Sequence, residues 1–338
     1  MAVTTATTAN PMKKRDTLQH DIHERARLAG TNKFELLLFG LGTTTRTGRR
    51  ELYGINVFKV REVLAMPEIT EMAGANPNML GVANIRGQII PVINLPALIG
   101  CVPEKGLSIL MVTEYGRTVQ AFAVENVKEI VRVDWEHVLS AEATQAGDLV
   151  TGIARLDGAD PNTRLAQVLD VEQILRDVMP TSMEEITLDV VGAPLRLPEG
   201  STLLVADDSA VARSVIELGL KAMHLPFVMT RTGREAWNLL QEEATRSQST
   251  GQPVSSRVAL VLTDLEMPEM DGFTLTRLIK QDVRFKDIPV VIHSSLSGST
   301  NESHVRSVGA DAYVAKFSPR ELSAAIRAAL KPQQPHNG

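Results

Sequence analysis

The stretch VALVLTDLEMPEMDG, residues 258–272, decides the architecture of the second half of the chain. Five apolar residues run without alternation into Thr263 and Asp264, and a loop carrying Pro268 and Gly272 follows. A short unbroken apolar run reads as a strand buried on both faces, the habit of parallel sheets. Working outward, TLLVA (202–206), FVMT (227–230), PVVIHS (289–294) and AYVAK (312–316) repeat the pattern. Helical periodicity fills the gaps: Ala210–Met223, a segment opened by a T-x-x-E capping box at Thr232 and Glu235, Phe273–Lys280, and a helix through Val305. A polar stretch, TRSQSTGQPVSSR (245–257), separates the second helix from the third strand. The last helix opens with Ser318, Pro319 and Glu321, an N-cap, an N1 proline and a capping glutamate. Five β-α units in about 130 residues predict a doubly wound parallel sheet over residues 201–331, strand order 2-1-3-4-5, with a tail at 332–338.

Open α/β sheets place their chemistry at the carboxyl ends of their strands. Asp207 and Asp208 close the first strand, Asp264 the third, Ser294 the fourth and Lys316 the fifth. Adjacent strands in that order bring three carboxylates, a hydroxyl and an ammonium into one crevice. Three carboxylates repel one another and call for a hard cation, for which Mg²⁺ is the natural candidate. One carboxylate can then attack a phosphoryl group and form an aspartyl phosphate, with Lys316 and Ser294 on the phosphoryl oxygens.

These residues resemble the receiver domains of two-component signalling: ADD at 206–208, TDLEMPEMDG at 263–272, Ser294 after PVVIH, and YVAK at 313–316. The resemblance implies a flavodoxin-like fold with Asp264 as phosphoacceptor. It implies Mg²⁺ held by Asp208 and Asp264, by Asp207 through water, and by the backbone carbonyl of Glu266. Ser294 and Tyr313 would be the switch pair, with Glu266 and Leu296 flanking the site where phosphoryl lifetime is set. Receivers usually follow the lysine with proline, whereas Phe317 stands here, which predicts a trans peptide after Lys316. Haloacid-dehalogenase-like phosphatases also form aspartyl phosphates and need an acid two residues after the nucleophile, where Glu266 stands. Their cap domain and further catalytic loops have no counterpart in the chain.

From Phe34 to about Leu175, within a domain expected over residues 34–178, the sequence reads mostly as short strands: FELLLF, YGINVFKV, GQIIPVINL, SILMVTEY, TVQAFAVENV, EIVRV and LVTGIARL, punctuated by Gly, Pro, Asn and Asp. Catalytic motifs are missing. GLGTTT (40–45) lacks the third glycine of a dinucleotide loop, and Cys101 and His137 read as structural residues. YGINVFKVREVL (53–64) and GVANIRGQIIPVINL (81–95) resemble CheW, the chemotaxis coupling protein built from two small five-stranded β-subdomains. Asn94 replaces a more usual aspartate. By that match Val60, Glu62 and Arg86 fall where coupling proteins meet kinase or receptor. Residues 1–33 read as a polar segment with a short helix near Asp16–Leu28, where His20 and His23 lie on a solvated face. Residues 179–200, with Pro180, Pro194 and Pro198, read as a linker.

A CheW-like domain followed by a receiver is the arrangement of the CheV family. It implies a non-enzymatic adaptor in bacterial chemotaxis that couples methyl-accepting receptors to the histidine kinase CheA and is regulated through Asp264. A phosphate sink that drains CheA is the alternative. Composition agrees with such a role. Lys and Arg number 35 against 40 Asp and Glu, so no basic surplus points to nucleic acid. A single cysteine excludes an internal disulfide, and neither a signal peptide nor a membrane-length apolar run is present. The expected location is the cytoplasm, at membrane-associated receptor arrays without membrane insertion.

Overall fold

The computed structural model describes residues 33–115, 118–140, 147, 149–179, 186–294, 305, 307–316 and 318–330. The expected helix near Asp16–Leu28, Pro180, Leu296, Phe317, most of the helix leading to Val305, and the tail 332–338 lie outside the described residues. No helix among the described residues is long and apolar enough to cross a membrane.

The first half forms two β-sheets. Strands Asn126–Asp134, Lys33–Gly40, Leu52–Asn56, Leu165–Leu169, Val150–Arg155 and Val138–Ser140 make one, in that order. Strands Val60–Ala65, Ile109–Tyr115, Thr118–Val124, Gln88–Asn94 and Met79–Ile85 make the other. The first therefore has six strands where five were expected, because Val138–Ser140 adds an edge after the 3-10 turn Trp135–His137. The apolar density of FELLLF, interrupted by Glu35, has a direct cause: this strand is buried on both faces. Phe34, Leu36 and Leu38 pack inside the six-stranded sheet's own core, while Leu37 and Phe39 pack into a core shared by both sheets. GLGTTT leads into a two-stranded ribbon, Thr43–Thr44 with Cys101–Val102. Cys101 is buried with its Sγ 3.3 Å from Tyr53 Oη, a structural placement.

One departure from an expected strand, and one helix that the sequence reading did not assign, matter later. YGINVFKV is not one strand: Asn56 Oδ1 accepts from the Phe58 amide at 3.1 Å and opens a 3-10 turn, Val57–Lys59. VEQILRDV forms a helix, Val171–Val178, with Asp170 Oδ1 accepting from the Gln173 amide. Val171, Ile174, Leu175 and Val178 recur at helical spacing and pack into the shared core.

The second half is the expected sheet: five parallel strands in the order Phe227–Thr230, Thr202–Ala206, Val258–Thr263, Val290–Ser294, Ala312–Ala315. Alternate residues of one strand face opposite cores. Leu204 and Ala206 meet the helices Gly233–Thr250 and Gly272–Gln281, while Leu203 and Val205 meet Ala210–Ala222 and Pro319–Ala329. The helix Gly233–Thr250 runs through much of the polar stretch expected to be loop. That stretch is largely exposed, where polar side chains do not stop a helix, and Gly251 in the left-handed region ends it. Nor is the described part of the 179–200 segment a free tether. A short helix, Leu188–Val191, buries Val191 against the receiver core, and Arg327 Nη2 donates to the Val191 carbonyl at 2.8 Å.

Gly272 shows how tightly the third strand's loop closes. A Cβ there would lie 2.0 Å from the Asp264 carbonyl oxygen. Gly272→Ala is therefore expected to destabilise the second domain by about 1–3 kcal/mol, read from urea denaturation of the whole chain.

Candidate functional site

The strand ends bring the expected residues together. Backbone bonds set the register: the Asp264 amide donates to the Ala206 carbonyl at 2.8 Å, and the Lys316 amide to the Ser294 carbonyl at 2.8 Å. Carboxylate oxygens of Asp207, Asp208 and Asp264 then lie within 4.8 Å of one another. Lys316 Nζ donates to Asp264 Oδ2 at 2.8 Å and pairs with Asp207 Oδ2 at 3.0 Å. The Leu265 amide donates to Asp264 Oδ1 at 2.7 Å, and the Ser209 amide to Asp207 Oδ1 at 2.9 Å. Ser294 is buried at its strand end, and Tyr313 is half-buried beside the apolar cluster of Leu265, Phe273, Ile292 and Val305.

The electrostatics follow from burial. It raises the carboxyls of Asp207, Asp208 and Asp264, with Lys316 opposing in each case, and Asp207 is pushed up to about 7. Lys316 responds in reverse. Burial would lower it, yet the surrounding carboxylates hold it well above its ordinary value, so it stays charged. Burial, reinforced by Lys316, holds His293 neutral, down to about 3. Three hard oxygen donors sharing one ammonium are short of positive charge, and that donor set fits Mg²⁺.

Two residues of the first domain, missed in the sequence, complete the surroundings. Lys59 Nζ lies 3.5 Å from Glu266 Oε2 and 3.9 Å from Glu172 Oε1. Glu172 Oε1 lies 3.6 Å from Lys316 Nζ. Burial would raise the Glu172 carboxyl, but Lys316 and Lys59 beside it hold it below its ordinary range. Glu266 was expected to act through its backbone carbonyl; its side chain is buried too, and burial, partly offset by Lys59, pushes it up to about 7. The pattern of VEQILRDV after Asp170 could have revealed the helix that carries Glu172, though not the direction in which Glu172 points.

The three expected partner-binding residues separate. Val60 packs into the shared core at 4% exposure, a correction to its expected surface role: a β-strand valine is worth more there than in water. Arg86 sits on the turn between Met79–Ile85 and Gln88–Asn94 with its side chain 75% exposed. Its Nη2 reaches the mostly buried Glu62 Oε2 at 2.8 Å, so the two expected contact residues are one ion pair.

The raised acids set a pH dependence. Asp207 and Glu266 have ordinary values of 3.8 and 4.5 and folded values of about 7, so the fold keeps protons that the unfolded chain has lost across that window. Their contribution to stability is present at the acid end and falls as pH rises through about 7. His293 acts in the opposite sense, but its gain is complete near its unfolded value of 6.5. With chelator present, the thermal midpoint is expected to fall between about pH 6 and about pH 7.5, and excess Mg²⁺ to flatten that decline.

The match to known proteins follows the same division. The CheW-like domain family matches residues 35–179, and the response regulator receiver domain family matches residues 203–327. Helicobacter pylori chemotaxis protein CheV2 is 28% identical over 92% of this chain and 99% of its own length. Chemotaxis protein CheV3 of the same organism is 28% identical over 81% of this chain and 87% of its own. Chemotaxis protein CheV1 is 28% identical over 92% and 97%. The chain thus joins a CheW-like domain to a receiver domain, in that order, and is similar nearly end to end to the CheV chemotaxis proteins of Helicobacter pylori.

Proposed function

We propose that the protein is a chemotaxis adaptor whose CheW-like domain couples methyl-accepting receptors to the kinase CheA, under control of phosphorylation at Asp264. The observation that carries this reading is the convergence of Asp207, Asp208, Asp264 and Lys316 at the ends of adjacent parallel strands. In the transfer, an Asp264 carboxylate oxygen attacks the phosphorus of a phosphohistidine. The P–N bond breaks, its electron pair stays on the imidazole, and an aspartyl phosphate forms. Lys316, freed from part of its hold on Asp264, pairs with a phosphoryl oxygen, and the Ser294 hydroxyl donates to another. Mg²⁺, held by Asp208 and Asp264, by Asp207 through water and by the Glu266 carbonyl, would neutralise charge on the phosphoryl oxygens. The acceptor is the protein's own carboxylate, so the adaptor turns over no external substrate. A pure phosphate sink needs no contact between its domains, and the Lys59–Glu266 pair favours coupling.

Asp264→Asn is expected to abolish the base-labile label that phosphorylated CheA or acetyl phosphate leaves in the presence of Mg²⁺. Full labelling of that variant would refute the assignment. Arg86 offers a separable test on the other domain. Arg86→Glu places a second carboxylate against Glu62 and reverses the exposed charge. Pull-down by receptor–kinase complexes should weaken at least about tenfold while Asp264 still labels.

A further inference from the structure

The first domain does more than adjoin the receiver: it covers the acidic pocket. The turn Val57–Lys59 breaks the strand pattern and projects two side chains onto the receiver. Phe58, like Tyr313, packs against the cluster of Leu265, Phe273, Ile292 and Val305. Lys59 reaches Glu266, and Glu172, itself only 2% exposed, lies beside Lys316. Asp264 is left 5% exposed. Among the described residues, a cleft between the domains lined by Asn56, Lys59, Asp208 and Glu266 holds about 40 Å³. That admits a few waters, each needing about 10–15 Å³ in this measure, but no histidine side chain carrying a phosphoryl group.

The charges are matched to an unphosphorylated Asp264. Glu172 shares Lys316 with Asp207 and Asp264, and Lys59 balances Glu172 and Glu266. A phosphoryl group brings about 1.5–2 further negative charges and draws on the same lysine. Glu172 would then face an anion across Lys316, too deeply buried for bulk solvent to screen it.

We propose that Lys59 and Glu172 form a clasp by which the CheW-like domain caps the receiver, and that this docked arrangement and a phosphoryl group on Asp264 exclude one another. The clasp opens to admit the phosphodonor and stays open while the phosphoryl group remains, which exposes the turn Val57–Lys59 and the adjoining face of the first domain. This inference rests on the reading of Asp264 as phosphoacceptor.

The full chain, Glu172→Gln and Phe58→Ala are labelled with acetyl phosphate and Mg²⁺, and the initial rates compared. Glu172→Gln weakens the charge clasp, whereas Phe58→Ala loosens docking without touching a charge. If the competent state is a minor population, both should label about tenfold faster than the unaltered chain. Hydrogen exchange in residues 57–59 and 171–175 of the unaltered chain should rise when beryllium fluoride and Mg²⁺ are added. Unchanged or slower labelling in both variants, with Asp264 labelled normally in the unaltered chain, overturns the clasp and leaves the adaptor reading intact. Exchange that does not respond to beryllium fluoride, in a chain that labels at Asp264, overturns it equally. Absence of label from all three proteins removes the phosphoacceptor reading, and the clasp falls with it.

Discussion

An ammonium group taken out of water survives only among anions, and Lys316 is the group around which this molecule is arranged. Its Nζ lies within 3.0 Å of both Asp207 and Asp264. Neither carboxylate would remain ionised so deep without it, and it would not remain charged without them. The parallel sheet exists, in this sense, to deliver one lysine and three acids to one point from separate strands. The close packing at Gly272 and the backbone bond from Asp264 to Ala206 hold the loop that presents the acceptor. A pocket charged in this way is unfinished: its acids exceed its cations, and it takes up whichever positive charge is supplied.

In the docked molecule part of that charge arrives from the neighbouring domain. Lys59 comes from a turn that a single asparagine cap creates in the middle of a strand-like sequence. Glu172 comes from the second residue of a helix whose apolar stripe is sunk in the core shared by the two sheets. Both are thus held by the folding of the first domain, not by the receiver. This makes the interface a rigid complement to one charge state of the pocket, and a change of charge acts on the whole domain boundary at once.

A second charged feature of the first domain is arranged differently. Glu62 and Arg86 form one pair in which the acid is mostly buried and the guanidinium is largely in solvent. Glu62 orients Arg86, and the left-handed backbone at Arg86 places it at the tip of its hairpin. An arginine held in this way loses less freedom when it meets a partner than a mobile surface lysine would. The two charged features, one covered by the receiver and one open to solvent, belong to the same small β domain.

The sequence by itself determined the receiver almost completely. Its strands are unbroken apolar runs that end in Asp207, Asp264, Ser294 and Lys316, and in a parallel sheet strand ends converge by geometry alone. It determined the β character of the first domain as well, because FELLLF and its neighbours carry the needed runs. Three things escaped that reading, one through a local cap and two because only tertiary structure decides them. Whether a valine such as Val60 faces a partner or a core depends on which sheet covers it. The break at Val57–Lys59 depends on a side-chain cap, invisible to a reading based on hydrophobic period. The meeting of Lys59 and Glu172 with Lys316 spans both domains, and nothing local in the chain encodes which surface a charge will face once distant segments have packed. Local pattern specifies elements and the ends of elements; the pairing of charges across a domain boundary is set by the packing that buries them.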